Sequence, residues 1–398
     1  MTTDFAATKA QFHLPSGVTY LDGNSLGPMP RAAAQRMRTR MEQEWAEMLI
    51  TAWNRADWIH DPRRIGDRVG RLVGAATGTV VMGDTLSIKV HQALASALAL
   101  RPDRRVILSD SGNFPSDLYI AQGLIATLGQ GHSLKTPAPQ DVLAAIDDTI
   151  AVVMLTEVDY RTGRRHDMQA IIQAAHRAGA LVIWDLAHSA GAIPVNLGQS
   201  GVDFAVGCTY KFLNGGPGAP AFIYVRPDLA PMCRPALSGW LGHEAPFAFD
   251  PDYRPAGGID RMRCGTPPVL ALAALDAALD VWDQVDMADL QARSATLADR
   301  FIAGVEATCP DLTLVTPRDP ARRGSQVSFA FDHGYPAMQA IIDRGVIGDF
   351  RAPNIMRFGI TPLYLDEADI DRAIAVLADV MGNRLWDQPQ YHQRAAVT

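Results

Sequence analysis

The stretch VIWDLAHSAG (182–191), followed by VDFAVGCTYKFLNGGPG (202–218), decides the fold. Each piece joins an apolar run to polar residues: Asp185 ends the first run, and Tyr210 and Lys211 follow the second. Similar runs stand at VILSD (106–110), IAVVMLT (150–156), ALVIWD (180–185), VDFAVGC (202–208) and AFIYV (221–225). Between them lie helical patterns such as MQAIIQAAHRAG (168–179), where Gly179 is a natural stop. Continuous apolar strands alternating with helices predict an α/β fold, a mostly parallel sheet covered on both faces. Ligands of such sheets collect at the carboxyl ends of the strands. Asp185 and Lys211 are therefore expected at one site, on neighbouring strand ends.

Outward from this centre, turn residues fill LDGNSLGPMP (21–30). Residues 31–50 read as one amphipathic helix, with Met37, Met41, Trp45 and Met48 at helical spacing. PPVLALAALDAALDVWDQV (267–285) reads as a long helix leading into a smaller α+β unit. That unit has predicted strands near 312–316, 325–331 and 355–360 and helices at 336–344 and 366–382. The expected organisation is an N-terminal segment (1–40) packing with the small domain, a large domain (41–285) and a small C-terminal domain (286–398).

Composition narrows the function. The 398 residues are 48% apolar and 20% charged, which excludes wholesale disorder and permits a core without disulfides. A net charge of −7 argues against nucleic-acid and anionic-membrane partners. No apolar run is long enough to span a bilayer, and the N-terminus lacks a signal-peptide core, so a cytoplasmic location is expected. The four cysteines (Cys208, Cys233, Cys264, Cys309) form no C-x-x-C pair, so no metal site is expected. Lysines are few: Lys9, Lys89, Lys135 and Lys211.

A lysine and a carboxylate on adjacent strand ends suit pyridoxal phosphate. The lysine condenses with the aldehyde, and the carboxylate keeps the pyridine nitrogen protonated. By spacing alone, a helix-capping Asp185 and a solvated Lys211 carry equal weight. GDTLSIKVHQALASALAL (83–100) offers Thr85 and Ser87 at a helix start, a place for phosphate or an ordinary N-cap. Phe114 in SGNFPSD (111–117) could stack on a ring or fill the core. Arg357, among apolar neighbours in IMRFGITPLY (355–364), could grip a carboxylate or pair with an internal acid.

Together with YLDGNSLGPMP (20–30), FPSD (114–117), SGWLGH (238–243), CGTPP (264–268) and RGVIGDFRAPNIMRFGITPLY (344–364), these motifs resemble kynureninase, most of all its bacterial members. The resemblance runs nearly the whole length, in order. It implies a fold type I, aspartate-aminotransferase-like enzyme that uses pyridoxal 5'-phosphate to hydrolyse L-kynurenine to anthranilate and L-alanine, in tryptophan catabolism. Lys211 would be the Schiff-base lysine and Asp185 the partner of the pyridine nitrogen, with His188 beside the cofactor. Phe114 would stack on the ring and Asp117 would orient it. Leu86, Ser87 and Tyr210 would bind the phosphate, and Thr156 would lie near the ring oxygen. Tyr210 is also the candidate acid or base at the γ-carbonyl. Trp240 and Thr266 would reach the phosphate from a partner subunit, implying a homodimer with shared sites. Arg357 would bind the α-carboxylate, Asn24 and His60 are candidates for the substrate pocket of the partner subunit, and His243 could face the aryl group. Thr266 stands where animal members have Asn, which favours kynurenine over 3-hydroxykynurenine. A cysteine desulfurase, selenocysteine lyase or aminotransferase of the same fold is the alternative. The first two need a cysteine on a small-domain loop, and 345–354 has none.

Overall fold

The computed structural model describes residues 2–395; residues 396–398 of the expected small domain lie outside the described residues. A short strand β1 (Thr19–Tyr20) precedes the main sheet. The seven strands of that sheet are β2 (Val80–Met82), β3 (Val106–Leu108), β4 (Ser133–Lys135), β5 (Ile150–Thr156), β6 (Leu181–Asp185), β7 (Phe204–Gly207) and β8 (Phe222–Val225). Their order is β2-β8-β7-β6-β5-β3-β4, and only β8 runs against its neighbours. The central strands are buried along their whole length, as strands covered on both faces must be. One core fills each face; Trp184 and Trp282 belong to one, Ile183 and Phe204 to the other.

A second sheet follows, built from β9 (Thr313–Leu314), β10 (Gln326–Ala330), β12 (Asp349–Arg351) and β13 (Ile355–Gly359). It is antiparallel, in the order β12-β13-β10-β9. The strand β11 (Val346–Ile347) pairs instead with β1, in parallel. The N-terminal segment is thereby bound to late parts of the chain. Lys9 reaches Asp366 and Asp369 at 2.7 and 2.5 Å, and the Thr8 hydroxyl donates to the Leu363 carbonyl.

Two expectations need correction. The helix predicted over 31–50 is regular only over Arg31–Thr39 and then widens into a π turn, Arg40–Trp45. Arg40 is buried at this slip, paired with Glu44 at 2.7 Å and Asp61 at 3.1 Å. Met41, Trp45, Leu49 and Ile50 are consequently exposed in the single chain. The long helix predicted over 267–285 is also shorter, Val269–Trp282, and a separate helix spans Met287–Thr308. Asp286 caps the second helix by accepting from the Ala288 and Asp289 amides, which fixes a new start there. Strands β2, β4, β11 and β12, of two or three residues each, have no counterpart in the sequence reading.

Candidate active site

Strand register assembles the centre. Thr156 and Asp185, the last residues of β5 and β6, are direct neighbours, and Asp185 also pairs with Val206 of β7. The chain leaving β7 carries Tyr210 and Lys211 back over that edge. The Lys211 Nζ lies 3.0 Å from His188 Nε2 and 5.9 Å from the centre of the Phe114 ring. Asn214, at φ 59°, turns the chain after the lysine. Gly27 approaches so closely that a Cβ there would strike the Lys211 carbonyl, and its amide donates to the Tyr210 carbonyl at 2.8 Å.

Asp185 is buried and accepts from the Ala187 amide at 2.8 Å. Burial pushes its carboxyl up to about 6, although Lys211 and the Ala187 amide oppose the shift. Asp117 is pushed up as well, by burial and by the charge of Asp185, and its Oδ2 is buried without a partner. Two buried carboxylates with an orphaned oxygen call for a cation between strand ends, which a protonated pyridine nitrogen would be. Phe114 begins the helix Pro115–Leu128, stands edge-on to Tyr160 at 5.2 Å and keeps 42% of its surface open, so a ring face is available. Thr156 donates to Asn113 Oδ1 at 2.5 Å, tying the strand end to the Phe114 loop. Burial, then the Lys211 charge, holds His188 well below the ordinary imidazole range. It is therefore a neutral acceptor for the lysine amine.

A phosphate cradle lies at two helix starts. The helix Leu86–Ala99 has no acidic residue in its first turn, and Thr85 at its N-cap makes no capping bond. Ser87 there meets Ser116 of the Phe114 helix, their hydroxyls 3.2 Å apart. Two helix N-termini with free hydroxyls suit a dianion. Lys89 beneath is fully buried, its Nζ bonded to Asp84, Gln92 and the Met262 carbonyl. It fastens the strap 262–266 against the cradle. Thr266 and Trp240 are exposed nearby, Trp240 beside the exposed Phe247. These residues fit the cofactor expected from the sequence.

Arg357, on β13, is 2% exposed. Its Nε donates to Asp349 Oδ1 at 2.6 Å, Nη2 contacts Asp349 Oδ2 and Ser25, and Nη1 donates to the Tyr160 carbonyl. Of the two readings of Arg357, pairing with an internal acid is the one these contacts show. Asn24 adjoins the Arg357 cluster through Ser25, and His60 and His243 lie outside it. Asn24 is buried against Gly359, with both amide atoms unpartnered. His60 is exposed and bonded to Asp57. His243 commits both nitrogens to its own loop, to the Asp252 carbonyl and the Ala245 amide. Ser116, Asn113, Asp349, Ser25 and Arg351 escaped sequence reasoning; only Ser116, behind a proline at a helix start, carried a local signal. A cavity of about 1020 Å³ elsewhere, bounded by Arg164, His166, Gln169, Asn196 and Arg322, includes none of the site residues.

Residues 290–377 match the kynureninase C-terminal domain model. Kynureninases of Pseudomonas fluorescens and of Burkholderia pseudomallei are each 50% identical to the chain, over 99% of it and 96% of their own length. The chain belongs to the kynureninase family. In three dimensions the fold resembles the cysteine desulfurase CsdA of Escherichia coli, with a TM-score of 0.81 at 19% identity over 96% of this chain and 100% of that one. It also resembles a lysine-to-alanine variant of C-DES with glycine covalently linked to its PLP cofactor, with a TM-score of 0.78 at 18% identity over 93% and 99%. These likenesses identify the fold as type I of the pyridoxal-phosphate enzymes. The desulfurase alternative finds no support within the kynureninase family: Cys309 is buried at a helix end.

Proposed function

We propose that this chain is a hydrolase that cleaves the Cβ–Cγ bond of L-kynurenine to give anthranilate and L-alanine, with pyridoxal phosphate as cofactor. The observation that carries the reading is 50% identity to kynureninases along 99% of the chain. The grouping of Lys211, His188, Asp185 and Phe114 at one sheet edge supports it.

Held at the sheet edge, pyridoxal phosphate would supply an electron sink for the substrate's α-carbon and, in turn, for Cβ. Lys211 would hold the cofactor through its amine and move the proton at the substrate's α-carbon. His188, neutral, accepts from the lysine amine and keeps it aimed. Asp185 holds a proton on the ring nitrogen, with Asp117 beside it, and Phe114 and Thr156 fix the ring plane. Leu86, Ser87 and Ser116 hold the phosphate. Arg357 orients the substrate by its carboxylate. Tyr210 acts at the γ-carbonyl oxygen: the neighbouring Cys208 and partial burial raise its phenol, so it retains a proton to donate.

The active form is a homodimer. Trp240, Phe247, Phe249, Trp45, Leu49 and Ile50 are exposed on the single chain, more apolar surface than a lone subunit is expected to leave open. A partner would cover them and bring Trp240 and Thr266 to the opposite phosphate. The division at 40/41 and 285/286 and a cytoplasmic location complete the reading; among the described residues no helix is long and apolar enough to cross a membrane.

Turnover tests the reading. Purified protein with pyridoxal phosphate and L-kynurenine is followed by anthranilate fluorescence, with Lys211→Ala in parallel. Wild type should produce anthranilate and the variant none. A yellow, cofactor-loaded protein that makes no anthranilate would overturn the assignment.

A further inference from the structure

The surroundings of Arg357 hold more positive charge than one internal acid needs. Arg351, on the neighbouring strand β12, reaches the same Asp349: its Nη2 lies 2.9 Å from Asp349 Oδ2 and 3.4 Å from the Ser25 hydroxyl. Asp349 is 1% exposed and Arg351 37% exposed along their side chains. Two guanidiniums thus flank one buried carboxylate. Burial and the charge of Arg357 both weigh against the charged form of Arg351. Desolvating like charges together is costly unless an anion joins them.

The donor count points the same way. A guanidinium has five N–H groups. Arg357 spends Nε and Nη2 on Asp349 and Ser25 and one Nη1 proton on the Tyr160 carbonyl, which leaves a single N–H. A carboxylate held at both oxygens needs two donors. Arg351 spends Nη2 on Asp349 and Ser25 and one Nη1 proton on the Phe350 carbonyl, and its Nε makes no hydrogen bond among the described residues. Asp22, buried nearby with an unpartnered Oδ1, balances the second arginine only in part, because burial and the charge of Asp349 push its carboxyl up to about 7.

We propose that Arg351 is a second guanidinium for the substrate's carboxylate, completing with Arg357 a two-arginine clamp. The proposal rests on the assignment of Arg357 to that carboxylate. Asp349 then aligns both arginines, while the substrate takes the donors that Asp349 leaves over.

The test uses the holoenzyme and two unreactive probes: ortho-aminobenzoylpropanoate, which lacks the α-amine, and its primary carboxamide. Arg351→Met should weaken the carboxylate by roughly 10- to 100-fold, the range of a hydrogen bond to a charged group, and leave the carboxamide within about twofold. Arg351→Lys should restore part of the loss. An equal loss for both probes would mean a merely structural arginine and would overturn the proposal. So would an unchanged carboxylate affinity in Arg351→Met while Arg357→Met weakens it; the assignment of Arg357 would then stand alone. If Arg357→Met also leaves the carboxylate untouched, that assignment falls and the clamp with it.

Discussion

Asp185→Asn should make the cofactor-free protein more stable while disabling it. Asp185 is buried in the folded chain and its carboxyl is raised from 3.8 to about 6, burial being the main cause. A folded-state shift of that size costs roughly 3 kcal/mol once the pH is above both values. The sign follows from the direction. A raised carboxyl destabilises the fold fully above about pH 6, progressively less as the pH falls, and not at all below the unfolded value near 3.8. Asparagine keeps the oxygen that accepts from the Ala187 amide and removes the charge. It also removes the charge that helps to push Asp117 upward. With about 2.1 cal/mol/K of unfolding entropy per residue, the gain corresponds to a rise in Tm of roughly 3–4 °C at pH 8. At pH 4 the rise should vanish. The assay is thermal unfolding, by circular dichroism, of cofactor-stripped wild type and variant at pH 8, 6 and 4. A variant that melts at or below wild type at pH 8, or a gain independent of pH, would refute the argument that the carboxylate is held at a cost for the cofactor.

Three other substitutions probe the frame around that centre. His188→Ala removes the acceptor 3.0 Å from the Lys211 amine and should lower kcat by on the order of 10- to 100-fold with cofactor stoichiometry unchanged, read by anthranilate release and visible absorbance. Gly27→Ala puts a methyl against the Lys211 carbonyl and Asn214 and should cost roughly 1–3 kcal/mol in thermal unfolding, together with most activity. Asp276→Ala strips a buried acid from Arg36, Arg64 and Arg68, which stay partly exposed and keep other acids, and should cost about 1–3 kcal/mol. Burial pushes Asp276 up, but Arg64 and Arg68 outweigh it and hold its carboxyl low. The stability it supplies is therefore present at neutral pH and lost on acidification, and the difference from wild type should shrink in melts run below pH 4.

Legibility followed physical scale. Ile150–Thr156 was readable to the residue because six consecutive apolar positions closed by a threonine admit few other readings. The strand β4 was not, since Ser133-Leu134-Lys135 holds no apolar run. Asp185 and Lys211 were visible because a carboxylate and one of four lysines end adjacent strands. Asp349 and Arg351 were invisible for the opposite reason: their meaning lies in Ser25, Tyr160 and Arg357, brought together across the chain. The π turn at Arg40–Trp45 defeated helical spacing, because a buried ion pair with Asp61, not apolar periodicity, sets its register.

The N-terminal segment has a consequence for how the protein is made. Leu21 is hydrogen-bonded to Ile347 and Gly359, Thr19 pairs with Val346, and Lys9 is anchored to Asp366 and Asp369. The same segment presses Gly27 onto the lysine loop. At ~5–20 residues per second, the first residues off the ribosome wait on the order of half a minute for their partners. Until residue 369 has emerged, the lysine loop lacks the strap that shapes it. A nascent chain that has not yet presented residue 369 is thus an unfinished receptor for its cofactor. A bulky tag fused ahead of Phe5 would press on that last closing step, although it lies far from the lysine in sequence.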